Sequence, residues 1–207
     1  MSTARQSILK KLRNAVVSAP ASVPDYQWPT IQDPLAHWKQ LLVANHADIL
    51  ETTEIQLAQD IRQWLVQRGL TKVIASARIL SRYPLLNACA ESLPEGTLDN
   101  WKSTLFNEVE VGITSSLAAI IATGTVVIEP GIDEPRSLSL VPPCHIVIVS
   151  KQTFYNDFAQ LMREQKWHAS MPTNRVLISG PSKTADIQQT LAYGAHGPSE
   201  LLVVLID

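Results

Sequence analysis

Cysteine is nearly absent: Cys89 and Cys144 stand alone in 207 residues, far apart and in no CxxC pair. That argues against a disulfide framework and against a cysteine-ligated iron–sulfur cluster, and leaves two reduced thiols. Glycine is scarce as well, with eight residues arranged in neither GxxxxGK[ST] nor GxGxxG, which removes the P-loop and the dinucleotide fingerprint. Charged residues make up only 17% of the chain, and a net charge of −2 offers no electrostatic footprint for nucleic acid. No apolar run approaches the roughly 18 residues that a membrane-spanning helix needs. His37 and His46 lie apart with no third ligand nearby, so no metal site is expected. Repeats and low-complexity tracts are missing too. A cytoplasmic protein without a resident cofactor is the expectation.

An apolar share of 45% supports a real core, and the length suits one domain, or one domain plus an arm. The first 18 residues are basic (Arg5, Lys10, Lys11, Arg13), with Ile8, Leu9, Leu12 and Val16 on one helical face. Pro20, Pro24, Pro29 and Pro34 then make residues 19–34 an extended linker. Residues 1–34 are therefore read as a helical arm and linker, and residues 35–207 as the α/β domain.

Within the domain, Leu35, Trp38, Leu41 and Leu42 fall at helical spacing. Residues 47–51 read as a strand, and a helix over 54–68 stops at Gly69. Residues 72–76 follow as a buried strand, and residues 81–90 as a short helix broken near Pro84. Residues 93–107 read as turn-rich, with Trp101 and Phe106 inside. Residues 109–113 alternate as a strand, while 117–122 and 125–128 form a hairpin turned at Thr123 and Gly124. Residues 129–135 read as a charged surface loop. Residues 144–149 make a central strand that buries His145, and 153–163 a helix with Phe154, Phe158 and Leu161 inward.

The last 34 residues organise the rest. Residues 175–179 and 201–206 read as buried strands, and residues 184–193 as an amphipathic helix with Ile187, Leu191 and Ala192 on one face. Together they have the size of a βαβ unit with parallel strands. The strand-to-helix junction, Gly180, Ser182, Lys183 and Thr184, then offers free amides, a small residue and a positive charge to an anion. The same features equally describe a plain helix cap, with Asp186 complementing the helix dipole. His196 and Gly197 follow the helix, at the opposite end of such a unit from Gly180, which gives them a structural or interface role.

ISGPSKTADIQQTLAYGAHGP at 178–198 resembles the signature of the LutC/YkgG family of lactate-utilisation proteins, built on the LUD domain. VGIT at 111–114, IATGTVVI at 121–128 and LSLVPPCHIVIV at 138–149 resemble further segments of that family. The resemblance implies a three-layer α/β sheet of the NagB/RpiA/CoA-transferase type, carrying the inserted hairpin and the N-terminal arm, with its site at strand carboxyl ends. It adds Thr123, Gly124 and Thr125 to the residues assigned to the anion. It also implies a role as an accessory or small-anion-binding subunit of a system oxidising L-lactate to pyruvate, with iron–sulfur clusters in partner subunits. The alternative is a self-sufficient isomerase or ligase acting on a phosphorylated or CoA-type molecule. Many family members carry an acid just before T-G-T, where this chain has Ala122. A general base would then be Glu110, Glu129 or Asp186.

Overall fold

The computed structural model describes residues 3–14, 29–94, 98–170, 172–185 and 191–207. The chain divides into two units, Met1–Thr30 and Ile31–Asp207. The first contains helix α1 (Ala4–Asn14), where the basic apolar-striped segment predicts it. Most of the proline-rich linker, residues 19–28, lies outside the described residues, as does Asp186.

The second unit starts with α2 (Pro34–Ala44), whose Asp33 side chain accepts the Ala36 amide and whose Pro34 needs no amide partner. There follow β1 (Asp48–Thr52), α3 (Leu57–Arg68), β2 (Val73–Ala75), α4 (Ala77–Arg82), β3 (Glu91–Ser92), α5 (Leu98–Asn107) and β4 (Val111–Ser115). The hairpin is β5 (Ala118–Ile120) and β6 (Thr125–Ile128), and a short α6 (Ser137–Leu140) leads to β7 (Cys144–Ser150). Next come β8 (Phe154–Tyr155), α7 (Phe158–Glu164), β9 (Val176–Ile178), β10 (Lys183–Ala185), β11 (Leu191–Tyr193) and β12 (Glu200–Ile206).

Six strands form one parallel sheet in the order β1-β12-β7-β4-β2-β3. Its central strands are buried on both faces, which is why they read as unbroken apolar runs. Val111, Ile113, Ile146, Ile148, Leu202 and Val204 meet Leu57, Ile61, Leu65 and Ile79 from α3 and α4. Their alternates Val147, Val149, Leu201, Val203 and Leu205 meet Trp38 and Leu42 of α2 and Val126 and Ile128 of the hairpin. Trp101, Leu105 and Leu138 close the same side over Ile74. The hairpin belongs to a second sheet, β8-β5-β6-β9, and Gly124 turns it at φ 59°.

Four expectations change. The two ends of the expected helix over 184–193 are strands instead: β10 and β11 pair antiparallel, Lys183 opposite Tyr193, with residues 186–190 outside the described residues. The ends of this segment are tied together, since Ser182 N–H donates to Pro198 O at 2.8 Å and Gly194 N–H to Ser182 O at 2.9 Å. A ten-residue helix would instead hold its ends about 15 Å apart. Nor is there a βαβ unit with parallel strands, because β9 pairs antiparallel with β6 rather than parallel with β12. Its run is only partly covered, and Leu177 remains 47% exposed. Third, residues 98–107 are helical, with Trp101 buried and Phe106 on the water side. Fourth, Phe154 lies in β8, edge-on to Trp38 with ring centroids 4.9 Å apart, so the helix starts only at Phe158, which is itself exposed.

Candidate functional site

From β2 the chain moves outward to β3 and then crosses back to β4 on the other side of β2. Connections diverge there, and the carboxyl ends of β2 and β4 bound the crevice where open parallel sheets place their ligands. Ser76 follows β2 and Ser115 ends β4, so strand order brings together two hydroxyls far apart in sequence. The loop after β6 lowers Glu134 between them. Glu134 Oε2 accepts the Ser76 hydroxyl at 2.7 Å, and Oε1 accepts both the Ser115 amide and the Ser115 hydroxyl at 2.9 Å.

Glu134 is only 1% exposed, so the charged surface loop expected over residues 129–135 contains a buried carboxyl. Burial pushes its pKa up from the usual carboxylate value, and the Ser76 and Ser115 hydrogen bonds and the Arg78 charge pull it back only in part. A buried acid with a raised pKa beside a cleft is the pattern of a proton-exchanging group, as well as of a structural clamp.

The cleft itself has a volume of about 200 Å³ and is lined by Arg78, Arg82, Ser115, Ser116, Leu117 and Glu129, with Ile79 at its back. Arg78 and Arg82 stand one turn apart on α4 and can address the same anion. Arg82 also lies over the Tyr83 ring, 5.3 Å from its centroid. Glu129 is held by Arg175 Nη2 at 2.6 Å. Ser116 Oγ is buried and has no hydrogen-bond partner among the described residues.

The residues singled out in the sequence lie elsewhere. Thr123, Thr125 and Ser179 share hydroxyl contacts, Thr123 Oγ1–Thr125 Oγ1 and Thr125 Oγ1–Ser179 Oγ both at 2.7 Å. The two motifs therefore do meet, but their glycines make room for α2. A Cβ on Gly124 would stand 2.4 Å from Leu41 Cβ, and one on Gly180 (φ 151°) 2.7 Å from Asn45 O. Lys183 Nζ donates to Asn45 Oδ1 at 2.8 Å. Thr184 sits in β10, not in the first turn of a helix, so the helix-terminus argument for an anion at Gly180, Ser182, Lys183 and Thr184 does not hold.

Without that helix, His196 and Gly197 are not remote from Gly180. A Cβ on Gly197 would lie 3.2 Å from Ser182 Cβ, and both histidine and serine line a mostly apolar pocket of about 180 Å³ with Gly180 and His145. That pocket opens at the amino ends of β7 and β12, away from the switch point. His145 is a satisfied core residue, as its strand suggests. Its Nε2 meets Thr114 Oγ1 at 2.8 Å, and burial depresses its pKa to about 3.

Of the proposed bases, Glu110 caps the turn before β2. It accepts the Thr71 and Lys72 amides at 2.7 and 2.9 Å, and these hold its carboxyl below the usual range. Glu129 does reach the cleft. Glu134 was not among the expected bases, because nothing in a loop with Glu129, Asp133 and Glu134 marks which acid goes inside. Two serines placed directly after buried strands are the one local hint. Among the described residues no group of three or more His, Cys, Asp or Glu could hold a metal ion. Nor is any helix among them long and apolar enough to cross a membrane.

Residues 35–206 match the family model of the LUD domain. An uncharacterised protein of Neisseria meningitidis serogroup B is 34% identical, over 99% of this chain and 94% of that protein. Lactate utilization protein C of Macrococcus caseolyticus is 31% identical over 78% of this chain and 73% of its own length. The Bacillus subtilis protein of the same name is 27% identical over 97% and 92%. A solved structure, that of a DUF162 family protein from Deinococcus radiodurans, superposes with a TM-score of 0.61 over 84% of this chain and 96% of that one. At 20% identity, that likeness supports the fold alone. The alternating core, the hairpin turned at Gly124 and the match over residues 35–206 converge: this chain belongs to the LUD-domain family, which includes proteins named lactate utilization protein C.

Proposed function

We propose that this chain is a small-anion-binding subunit of a cytoplasmic system that oxidises L-lactate to pyruvate. It would work beside partner proteins that carry the iron–sulfur clusters. Relatives named for lactate utilization support the pathway, and the cleft at the carboxyl ends of β2 and β4 supports a binding site. The observation that carries the reading is Arg78 and Arg82 lining that cleft together with Ser115, whose hydroxyl is held by a buried carboxyl. Cationic donors one turn apart suit a carboxylate or a phosphate. In this reading the signature residues Gly180, Ser182, Lys183 and Thr184, with Thr123, Gly124 and Thr125, frame the domain against α2, and the ligand sits at the switch point. The arrangement fits descent from the NagB/RpiA/CoA-transferase group, whose members use the same end of the sheet.

Glu134 favours a second reading. It provides at the switch point the carboxyl that Ala122 does not, with a pKa moved toward neutrality. An isomerase- or ligase-type enzyme working alone on a phosphorylated or CoA-type molecule would use it as acid and base. Turnover of such a substrate by the isolated chain, abolished in Glu134→Gln, would select this reading over an accessory role.

The anion site is tested by calorimetric titration of lactate, pyruvate and inorganic phosphate into wild type, Arg78→Gln and Lys183→Gln. Loss of charge-assisted hydrogen bonds predicts a roughly tenfold to hundredfold weaker response from Arg78→Gln. Lys183→Gln should bind as wild type does. Silence of the wild type at millimolar anion, or equal binding by wild type and Arg78→Gln, would refute the assignment.

A further inference from the structure

We infer that α1 is a reversible anchor to an anionic lipid surface, lying along the headgroups with its aliphatic stripe toward the acyl chains. The inference is independent of the switch-point cleft and of its ligand.

Ile8, Leu9 and Leu12 are 58%, 41% and 62% exposed, and no residue of α1 is buried. Ile8 lies four residues before Leu12 and Leu9 three, so the three share one face of the helix. A helix of 11 residues is marginal alone in water, and an amphipathic one gains most of its stability where its apolar face is covered.

Charge decides what covers it. Arg5, Lys10, Lys11 and Arg13 are the charged residues up to position 24, and all four are positive. Set against a net charge of −2 for the chain, they leave −6 on the residues beyond position 24. An anionic surface therefore attracts the arm and repels the rest, so the arm alone carries the binding. Lys11 and Arg13 adjoin Leu12 in sequence, which places them about 100° to either side of it around the helix. On a flat anionic plane both flanks reach headgroups while the stripe between them enters the layer. Arg5 shares the face of Leu12 but stands at the first turn, where its long stem lets the guanidinium rise to the headgroups.

An acidic groove on another protein would meet the same charges less well. Shaped pockets draw their binding energy chiefly from aromatic anchors, and α1 has no aromatic residue. Aliphatic side chains alone suit a fluid acyl layer, which imposes no shape. Each positive charge near the surface strengthens binding about fivefold, and the stripe adds a second, apolar signal. Two weak signals together make an attachment that salt reverses.

The test floats the full chain with phosphatidylcholine vesicles, with and without about a third phosphatidylserine. Wild type should bind the anionic vesicles at least about tenfold more tightly than the neutral ones, and leave them in high salt. Reversing two charges in Lys10→Glu/Lys11→Glu should weaken binding by roughly a hundredfold or more. Leu12→Ser should weaken it about tenfold, which separates an inserted helix from mere attraction between opposite charges. Both variants should keep the wild-type thermal midpoint, because the altered side chains are exposed. Equal binding to both kinds of vesicle, or Leu12→Ser binding as wild type does, would overturn the inference. So would a wild-type chain that ignores anionic vesicles, and a dimer dissolved by deleting residues 1–18 would then make a second copy the occupant.

Discussion

At the amino ends of β7 and β12, the polar groups around the signature pocket are largely uncharged and paired with one another. His145 rests on Thr114, and the backbones of Ser182, Gly194 and Pro198 bond among themselves. At the carboxyl ends of β2 and β4 the polar groups carry charge, one of them buried, and an adjacent hydroxyl has no partner among the described residues. The first region uses its unusual residues for close packing: Gly124 and Gly180 are small because α2 presses on them. The second holds a carboxylate in a place that costs stability, as binding and catalytic sites commonly do. A distinctive sequence segment can thus owe its small residues to close packing.

This contrast can be broken from either side, and the largest effect should come from acid. His145 has a folded pKa of about 3, against 6.5 for an ordinary histidine. The unfolded chain therefore binds the proton first, and stability present above pH 6.5 is lost as pH falls toward 3. The loss should be on the order of 4 kcal/mol across that window. Urea denaturation at stepped pH would show it, and His145→Gln should flatten the slope even if it lowers stability at neutral pH.

Next in size is Gly124→Ala. Its Cβ would combine a left-handed backbone with a collision against Leu41 Cβ, a cost of about 2–3 kcal/mol in chemical denaturation. Affinity for the anion in the folded fraction should stay at the wild-type value. Arg78→Gln is its mirror image, weakening the anion with only a small shift in thermal midpoint, because that side chain is exposed and its charge is the smallest of the influences that offset the burial of Glu134. If either variant moved both quantities, the two regions would not be separable. The smallest effect is expected from deleting residues 1–18, which precede the family match and lie in the other unit. The thermal midpoint should not move, and a large fall would tie the arm to the core.

The sheet was legible because burial on both faces leaves a signature that needs no partner to read. Val111 to Ile113, Ile146 to Val149 and Leu201 to Ile206 could hardly be anything else. The hairpin was legible from Thr123 and Gly124. The β10–β11 pair was not. Thr184, Leu191 and Tyr193 fit either period, and the bonds that decide the matter come from Pro198 and Ser182 across the loop. Glu134 was hidden for a related reason. Its burial depends on Ser76 and Ser115 being neighbours, and that follows from strand order, which no local pattern encodes.

Strand order also has a temporal side. β12 comes after every other strand of its sheet in the chain, yet it lies between β1 and β7, with Asp48 opposite Leu202 and Cys144 opposite Glu200. A ribosome therefore releases β1 and β7 before the segment that joins them exists. Until Leu201 to Ile206 emerge, both strands expose an open, apolar edge of the kind that recruits other chains. Closure across so long a stretch of sequence is slow. Synthesis of this protein thus includes an interval of vulnerability, in which holdase chaperones would be expected to raise its yield.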